Sequence, residues 1–333
     1  GTAADVSNEI YGAMFQVNQT IYDGGTTAAR KRVTRAEADV EKGRLDVTMY
    51  DINSRVEEIF FGILTIDEKL KQIQLLQNDL ELSMRTVNGM INGGLANQSD
   101  KDAIKVEQLK ASQQESSLTT SRAAYVRMLA AFTGKDMSAD TQFEKPETTT
   151  PAPETITNRR PELEYYSARL RLLDEQRQTL DTKLRPQISF FGAAVYHNRI
   201  NDLLKNGTLA AGVTLSWNIG ALYTRKNDIR NIETQKLQIE SQRETFLLNT
   251  RMQNENSYGN INGLKKQIAL DDEIITLREN IRQTTEKKVE NGTETVNELL
   301  RHINAVSEAR QTKAMHKIVL IRELYSLRHT NNI

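Results

Sequence analysis

Four histidines, His197, His302, His316 and His329, are the side chains best suited to acid–base or metal chemistry, and their spacing supports neither. None forms an HExxH pair or a comparable ligand set, and no glycine-rich phosphate loop or nucleophile elbow accompanies them. Cysteine is absent, which removes thiolate nucleophiles, Cys-based metal sites and any disulfide framework. We therefore expect no enzyme, and no catalytic residue, metal or cofactor. Two carboxylates stand out instead. Asp100 and Glu298 follow the glycine turns Asn92-Gly93-Gly94 and Asn291-Gly292, each six residues after the last glycine. Like carboxylates brought together repel one another and attract cations, whereas a carboxylate at a helix start can simply cap it. Both roles are open on sequence grounds. The run Asp271-Asp272-Glu273 reads as a solvated face.

The 333 residues carry 44 basic and 44 acidic side chains. A balanced chain has no net field to draw in nucleic acid or an anionic surface, so basic clusters must be judged locally. Hydrophobic residues make up 38% and aromatics 6%, low for compact cores in a chain this long. No run of about 18 apolar residues exists, so no transmembrane helix is expected. Alternating barrel strands would escape that test.

Two periodicities position the residues above. Ile52, Val56, Ile59, Ile63, Ile66, Leu70, Ile73, Leu80, Met84, Val87 and Ile91 form a heptad seam, which predicts one helix over 26–91. A returning helix over 100–132, closed by Gly134, completes a very long hairpin. Residues 135–157, with Pro146, Pro151, Pro153 and a threonine run, read as an extended surface linker. Pro161 then opens a further helix with Asn158 as candidate cap, ending before Pro186. Period two governs residues 187–197 and 208–220, with a polar loop over 198–207 between them, and a third such strand is expected over 9–22. From residue 224 the helical pattern resumes through Ile229, Ile232, Ile239, Phe246, Ile261, Leu264, Ile268, Leu277 and Ile281. After Gly292 comes a last helix rich in Leu299, Ile303, Val306, Ile318, Ile321 and Leu324.

The halves superpose at an offset of 198. Ala13, Phe15, Val17 and Ile21 fall on Ala211, Val213, Leu215 and Ile219; Phe60, Ile63, Ile66 and Leu70 fall on Tyr258, Ile261, Leu264 and Ile268. Gly94 and Asp100 fall on Gly292 and Glu298. Strand parity, helix register and turn agree, which points to a tandem duplication of a strand and long-hairpin unit. The expected organisation is a first repeat over 1–134, a linker over 135–157 and a second repeat over 158–333.

Tyr22-Asp23-Gly24-Gly25, Arg160-Pro161-Glu162-Leu163, Arg185-Pro186-Gln187-Ile188-Ser189, Leu215-Ser216-Trp217 and the Gly-plus-acid pattern at both tips occur in an order that resembles the TolC-like outer-membrane efflux proteins. The resemblance spans essentially the whole chain. It implies a mainly α fold with a few β-strands, in which three protomers close one 12-stranded barrel continued by a helical tunnel across the periplasm. It also implies a passive duct in the bacterial outer membrane, docked to a periplasmic adaptor and an inner-membrane transporter, with no nucleic-acid partner. Only three strands are present, and subtracting 198 from the strand at 187–197 places its counterpart before Gly1. An upstream signal peptide, helix and strand are therefore expected.

On that reading Tyr11, Ala13, Phe15, Val17, Ile21, Leu209, Val213, Leu215, Trp217 and Ile219 face lipid, and Asn18, Thr20, Thr214, Ser216 and Asn218 face the lumen. Arg30, Lys31, Arg32, Arg225, Lys226 and Arg230 oppose the dipole of the helices they begin. Lipid head groups could offset them, as could local acids such as Asp228. The tip residues Asn92, Gly93, Gly94, Asp100, Asn291, Gly292 and Glu298 would meet around the closed end of the tunnel. The competing reading is a soluble coiled-coil scaffold, which accounts for the heptads but not for the period-two segments or the repeat.

Overall fold

The computed structural model describes residues 12–146, 158–197 and 208–332. Tyr11, the first residues expected in strand one, Pro151, Pro153 and the 198–207 loop lie outside the described residues. The elements run β1 (Gly12–Tyr22), α1 (Thr26–Asn92), α2 (Gln98–Thr133), α3 (Pro161–Thr182), β2 (Gln187–His197), β3 (Thr208–Ser216), α4 (Ala221–Glu290) and α5 (Val296–Asn331). Among the described residues no helix is long and apolar enough to cross a membrane.

The helix bounds repeat at the offset read from sequence. Gln98 and Thr133 of α2 become Val296 and Asn331 of α5, and Asn92 at the end of α1 becomes Glu290 at the end of α4. Both hairpins turn by one mechanism. Leu95 N–H reaches the Met90 carbonyl at 2.8 Å and Gly94 N–H the Ile91 carbonyl at 3.0 Å, with Gly94 at φ 71°. Thr293 and Gly292 repeat the pair on Lys288 and Val289, both at 2.9 Å, with Gly292 at φ 70°. This double bond satisfies the last free carbonyls and needs a residue that tolerates positive φ, hence glycine at both turns.

The helices otherwise fall within two or three residues of the sequence reading, and three local features differ in kind. β3 ends at Ser216, so Trp217, Asn218 and Ile219 are not strand residues. α4 begins at Ala221, because Leu222 and Tyr223 N–H bond back to the Ile219 and Gly220 carbonyls. Asn158 does not cap α3: its Oδ1 accepts the Arg160 N–H at 3.0 Å in a turn ahead of Pro161, the first helical residue.

The chain divides into two compact units, each drawing on both halves of the sequence. Unit 1 (1–47 and 161–245) holds the three-stranded antiparallel sheet, in order β1-β2-β3, beside a core of Leu173, Ile232 and Ile239. Unit 2 (48–160 and 246–333) holds both hairpin turns. Its largest core joins Ile73, Leu80 and Val87 of α1 to Ile104 of α2, Val289 of α4 and Leu299 and Ile303 of α5. The described part of the linker is docked in unit 2. Arg122 forms an ion pair with Asp67 and donates to the Ala139 and Thr141 carbonyls, while Phe143 packs beside Phe60 and Phe61.

Candidate functional site

Strand register decides which residues share a sheet face. β2 pairs antiparallel with both neighbours, placing Phe15 opposite Ala194 and Ala194 opposite Leu209. Along the same face Val17, Gly192 and Ala211 align, then Gln19, Phe190 and Val213, then Ile188 and Leu215. The other face aligns Thr20, Ser189 and Thr214, with Asn18 opposite Phe191 and Gln187 opposite Ser216. The apolar face is thus continuous across three strands apart from Gln19. It is also uncovered: Phe15 is 69% exposed, Leu209 87%, and Val213 and Leu215 67% each. Among the described residues there is one sheet, so no second sheet packs on this face.

Two expected members sit differently. Ile21 falls where the β1–β2 pairing slips by one residue, so Tyr22 and not Ile21 lies opposite Ile188. Trp217 is anchored beyond β3, its indole N–H donating to the Leu184 carbonyl at 2.9 Å, while its ring stays 58% exposed. That arrangement gives one wet end and one apolar body. The other face of the sheet is mixed rather than polar: Met14, Val195, Ala193 and Ala210 also lie on it, as does Phe191, an aromatic that periodicity did not single out. Phe191 covers Gly212, where an added Cβ would come within 2.7 Å of the ring.

The β1–α1 junction explains the Asp23-Gly24-Gly25 run. Asp23 accepts the Gly25 N–H at 2.9 Å and the Thr27 N–H at 2.7 Å, capping a helix that has no acidic residue in its first turn. Hydrogen bonds from Thr27, its hydroxyl first and then its N–H, and from the Gly25 N–H hold the Asp23 carboxyl down at about 2. Gly24, at φ 67°, packs so close to Arg185 that an added Cβ would lie 2.9 Å from its side chain. The Arg185-Pro186 run thereby meets the glycine run in space.

At the tips both carboxylates take part in helix starts, in different ways. Asp100 forms a reciprocal capping box, accepting the Asn97 N–H at 2.9 Å while its own N–H reaches Asn97 Oδ1 at 3.2 Å. Glu298 holds the same third position, its N–H donating to Thr295 Oγ1 at 3.2 Å, but its carboxylate turns along α5 to Arg301 and to His302 at 3.2 Å. The Arg301 hydrogen bond, opposed by a smaller desolvation and helped by the charges of Arg301 and His302, lowers the Glu298 carboxyl below the usual range. Of the basic residues, Arg32 pairs with Glu175 at 2.8 Å and Arg225 with Asp181 at 2.6 Å, so both meet acids of α3 and not Asp228. Arg30, Lys31, Lys226 and Arg230 are exposed.

No family model and no curated protein sequence matches the chain. Solved structures do. CusC matches at TM-score 0.75 with 12% identity over 97% of this chain and 82% of that one. The outer-membrane channel OprN matches at 0.74 with 11% identity, covering 97% and 81%; the outer-membrane protein VceC of Vibrio cholerae matches at 0.73 with 11% identity, covering 97% and 86%. The chain shares the fold of these proteins.

Unit 2 also contains polar groups that sequence spacing did not single out. Ser54, His329 and Glu57 line up as hydroxyl, imidazole and carboxylate, at 2.9 Å and 2.6 Å. In an acyl-transfer enzyme that order activates the serine. Here Ser54 lies inside unbroken α1, whose backbone N–H groups are engaged along the helix, so no amide pair is left to hold an oxyanion. The cluster fastens α5 to α1 instead. Tyr50 stacks on the His329 ring at 4.2 Å and donates its hydroxyl to the His329 carbonyl, while Arg160 lies 4.8 Å over the Tyr50 ring. Farther along, Arg310 of α5 pairs with Asp79 of α1 at 3.1 Å and with Glu279 of α4. No local motif marks these partners, which stand 231 and 31 residues from Arg310. Among the described residues no group of three or more His, Cys, Asp or Glu side chains could hold a metal ion.

Proposed function

We propose that this chain is one subunit of a passive exit duct through the bacterial outer membrane, a homotrimer that works with a periplasmic adaptor and an inner-membrane transporter. The observation that carries the proposal is the uncovered apolar face running in register across β1, β2 and β3. A sheet with one nearly unbroken apolar face, and with the polar side chains Gln16, Asn18, Thr20, Ser189 and Thr214 gathered on the other, suits lipid on one side and water on the other. In lipid every strand edge must be paired, so the edges at β1 and β3 call for strands of neighbouring subunits or further strands of the same chain. The solved structures of like fold named above are described as outer-membrane proteins or channels, which supports the same assignment.

In this duct Phe15, Val17, Ile21, Val213 and Leu215 contact lipid tails, Trp217 and Ile219 lie at the interface, and Arg30, Lys31, Lys226 and Arg230 reach phosphate head groups. Arg32 and Arg225 serve the packing of α3. The tips around Gly94 and Gly292 form the gated end and the adaptor-docking surface. The full-length protein reconstituted in a planar bilayer tests the proposal: discrete, long-lived conductance steps are expected. A protein that purifies without detergent and never conducts would overturn it in favour of a coiled-coil scaffold.

A further inference from the structure

The sheet face turned away from lipid changes character along its length. Where β1 leads into α1 and β3 leads towards α4, its paired rows are polar throughout: Gln187 with Ser216, then Thr20, Ser189 and Thr214. Farther from the helices large apolar side chains enter. Phe191 lies opposite Asn18, and two rows on Met14 lies opposite Val195. Met14 is 65% exposed, and Phe191 and Val195 are half-buried. No Asp, Glu, Lys or Arg stands in β1, β2 or β3, so this wall offers a solute no acidic or strongly basic group.

The Phe191 ring has a built position. Its partner on β3 is Gly212, and a Cβ added there would come within 2.7 Å of ring atom Cε1 and 2.8 Å of Cζ. The ring thus lies over β3, in space that any other residue would fill, and is laid against the wall instead of standing across the path. Apolar surface held in water is unfavourable until something covers it. The more nearly apolar face of the sheet takes lipid, so the ring meets whatever travels through the duct.

We propose that Phe191, with Met14 and Val195, is a contact site for permeating solutes that carry a bulky apolar group, and that Gly212 keeps the ring folded back so that it touches solute without obstructing the path. The inference rests on the duct reading above and names the solute class that its wall favours. Contact here withdraws apolar surface of both ring and solute from water, and each methylene so covered favours the contact about fourfold. The polar rows nearer the helices supply no such gain, which confines the site to the half of the sheet farther from α1.

Because the chain has no cysteine, one engineered thiol reports on one position. With the full-length protein in lipid vesicles, Asn18→Cys, opposite Phe191, should react with a charged, water-soluble maleimide, and Val17→Cys, on the other face, should not. Tetrabutylammonium should protect Asn18→Cys at a concentration at least about fourfold lower than tetramethylammonium, and adding Phe191→Ala should raise that concentration by about fourfold or more. Equal protection by the two ions, or protection that survives loss of the ring, would overturn the proposal. So would labelling of Val17→Cys in place of Asn18→Cys, which would exchange the faces. In planar bilayers Gly212→Ala should lower conductance by lifting the ring off β3, and Phe191→Ala in the same chain should restore it. A loss that persists without the ring would overturn the role given to Gly212. Protection without conductance would remove the duct and leave the contact site, whereas conductance without protection would remove the site and leave the duct.

Discussion

At the scale of single residues, the two sheet faces make opposite demands on charge. Replacing Val213 or Leu215 with Arg should cost about 2–4 kcal/mol near the bilayer midplane, where the guanidinium would enter lipid. Arg at Thr214, one residue away on the other face, should be tolerated. Heat stability of the assembled protein in mixed micelles checks the pair, and equal defects on both faces would count against a barrel. Asp23 makes a pH prediction. Its carboxyl is depressed from 3.8 to about 2 in the folded state, so it favours folding above the unfolded value and loses that contribution as pH falls from about 4 to about 2. Asp23→Asn should therefore flatten the melting temperature against pH across that interval, with little change in shape above pH 5.

At the scale of elements, the two hairpin turns share a backbone but differ in side-chain chemistry. Asn97 and Thr295 cap α2 and α5 at equivalent positions, and replacing either with Ala should cost about 0.5–2 kcal/mol, read as faster amide exchange in the first turn. Gly94 and Gly292 hold positive φ, so Val at either should destabilise its turn by about 1–2 kcal/mol, whereas Asn should be better tolerated. The tip carboxylates bear on gating. We predict that Asp100→Asn combined with Glu298→Gln raises single-channel conductance or weakens cation preference while the oligomer survives. Unchanged conductance and selectivity would leave both residues as structural groups only. Glu298 also carries a pH term of known sign. Its lowered carboxyl holds Arg301 and His302 while ionised, so the contribution is present above the usual glutamate range and is lost on acidification.

At the scale of the whole molecule, each compact unit is built from both sequence repeats. Both the apolar sheet face and Leu270, Ile274, Leu277 and Ile281 of α4 stand exposed in the single chain. Assembly should therefore contribute strongly to stability. Diluting the purified protein in detergent is expected to lower its melting temperature, because the folded subunit is stabilised by its partners through mass action. A melting temperature independent of concentration while subunits dissociate would contradict this.

Periodicity alone determined the element types, the offset of 198 and the alternation of the strand faces, because period two, heptad spacing and glycine turns are local properties of the chain. It placed the C-terminal end of α1 within a residue of where it stands, since Gly94 leaves its signature in sequence. Tertiary structure decided what local pattern does not encode. Alternation cannot see that β3 stops at Ser216, because Trp217 leaves the ladder to reach the Leu184 carbonyl. Neither can it see that Arg32 and Arg225 meet Glu175 and Asp181, whose distance along the chain exceeds 40 residues. The dual character of the tip carboxylates was legible as two open roles, and only the coordinates separated a capping box at Asp100 from an ion-paired Glu298. Burial, finally, is a property of neighbours. The seam on α1 and the residues Leu270, Ile274, Leu277 and Ile281 of α4 have comparable heptad spacing, yet one is covered by α5 and the other stands exposed.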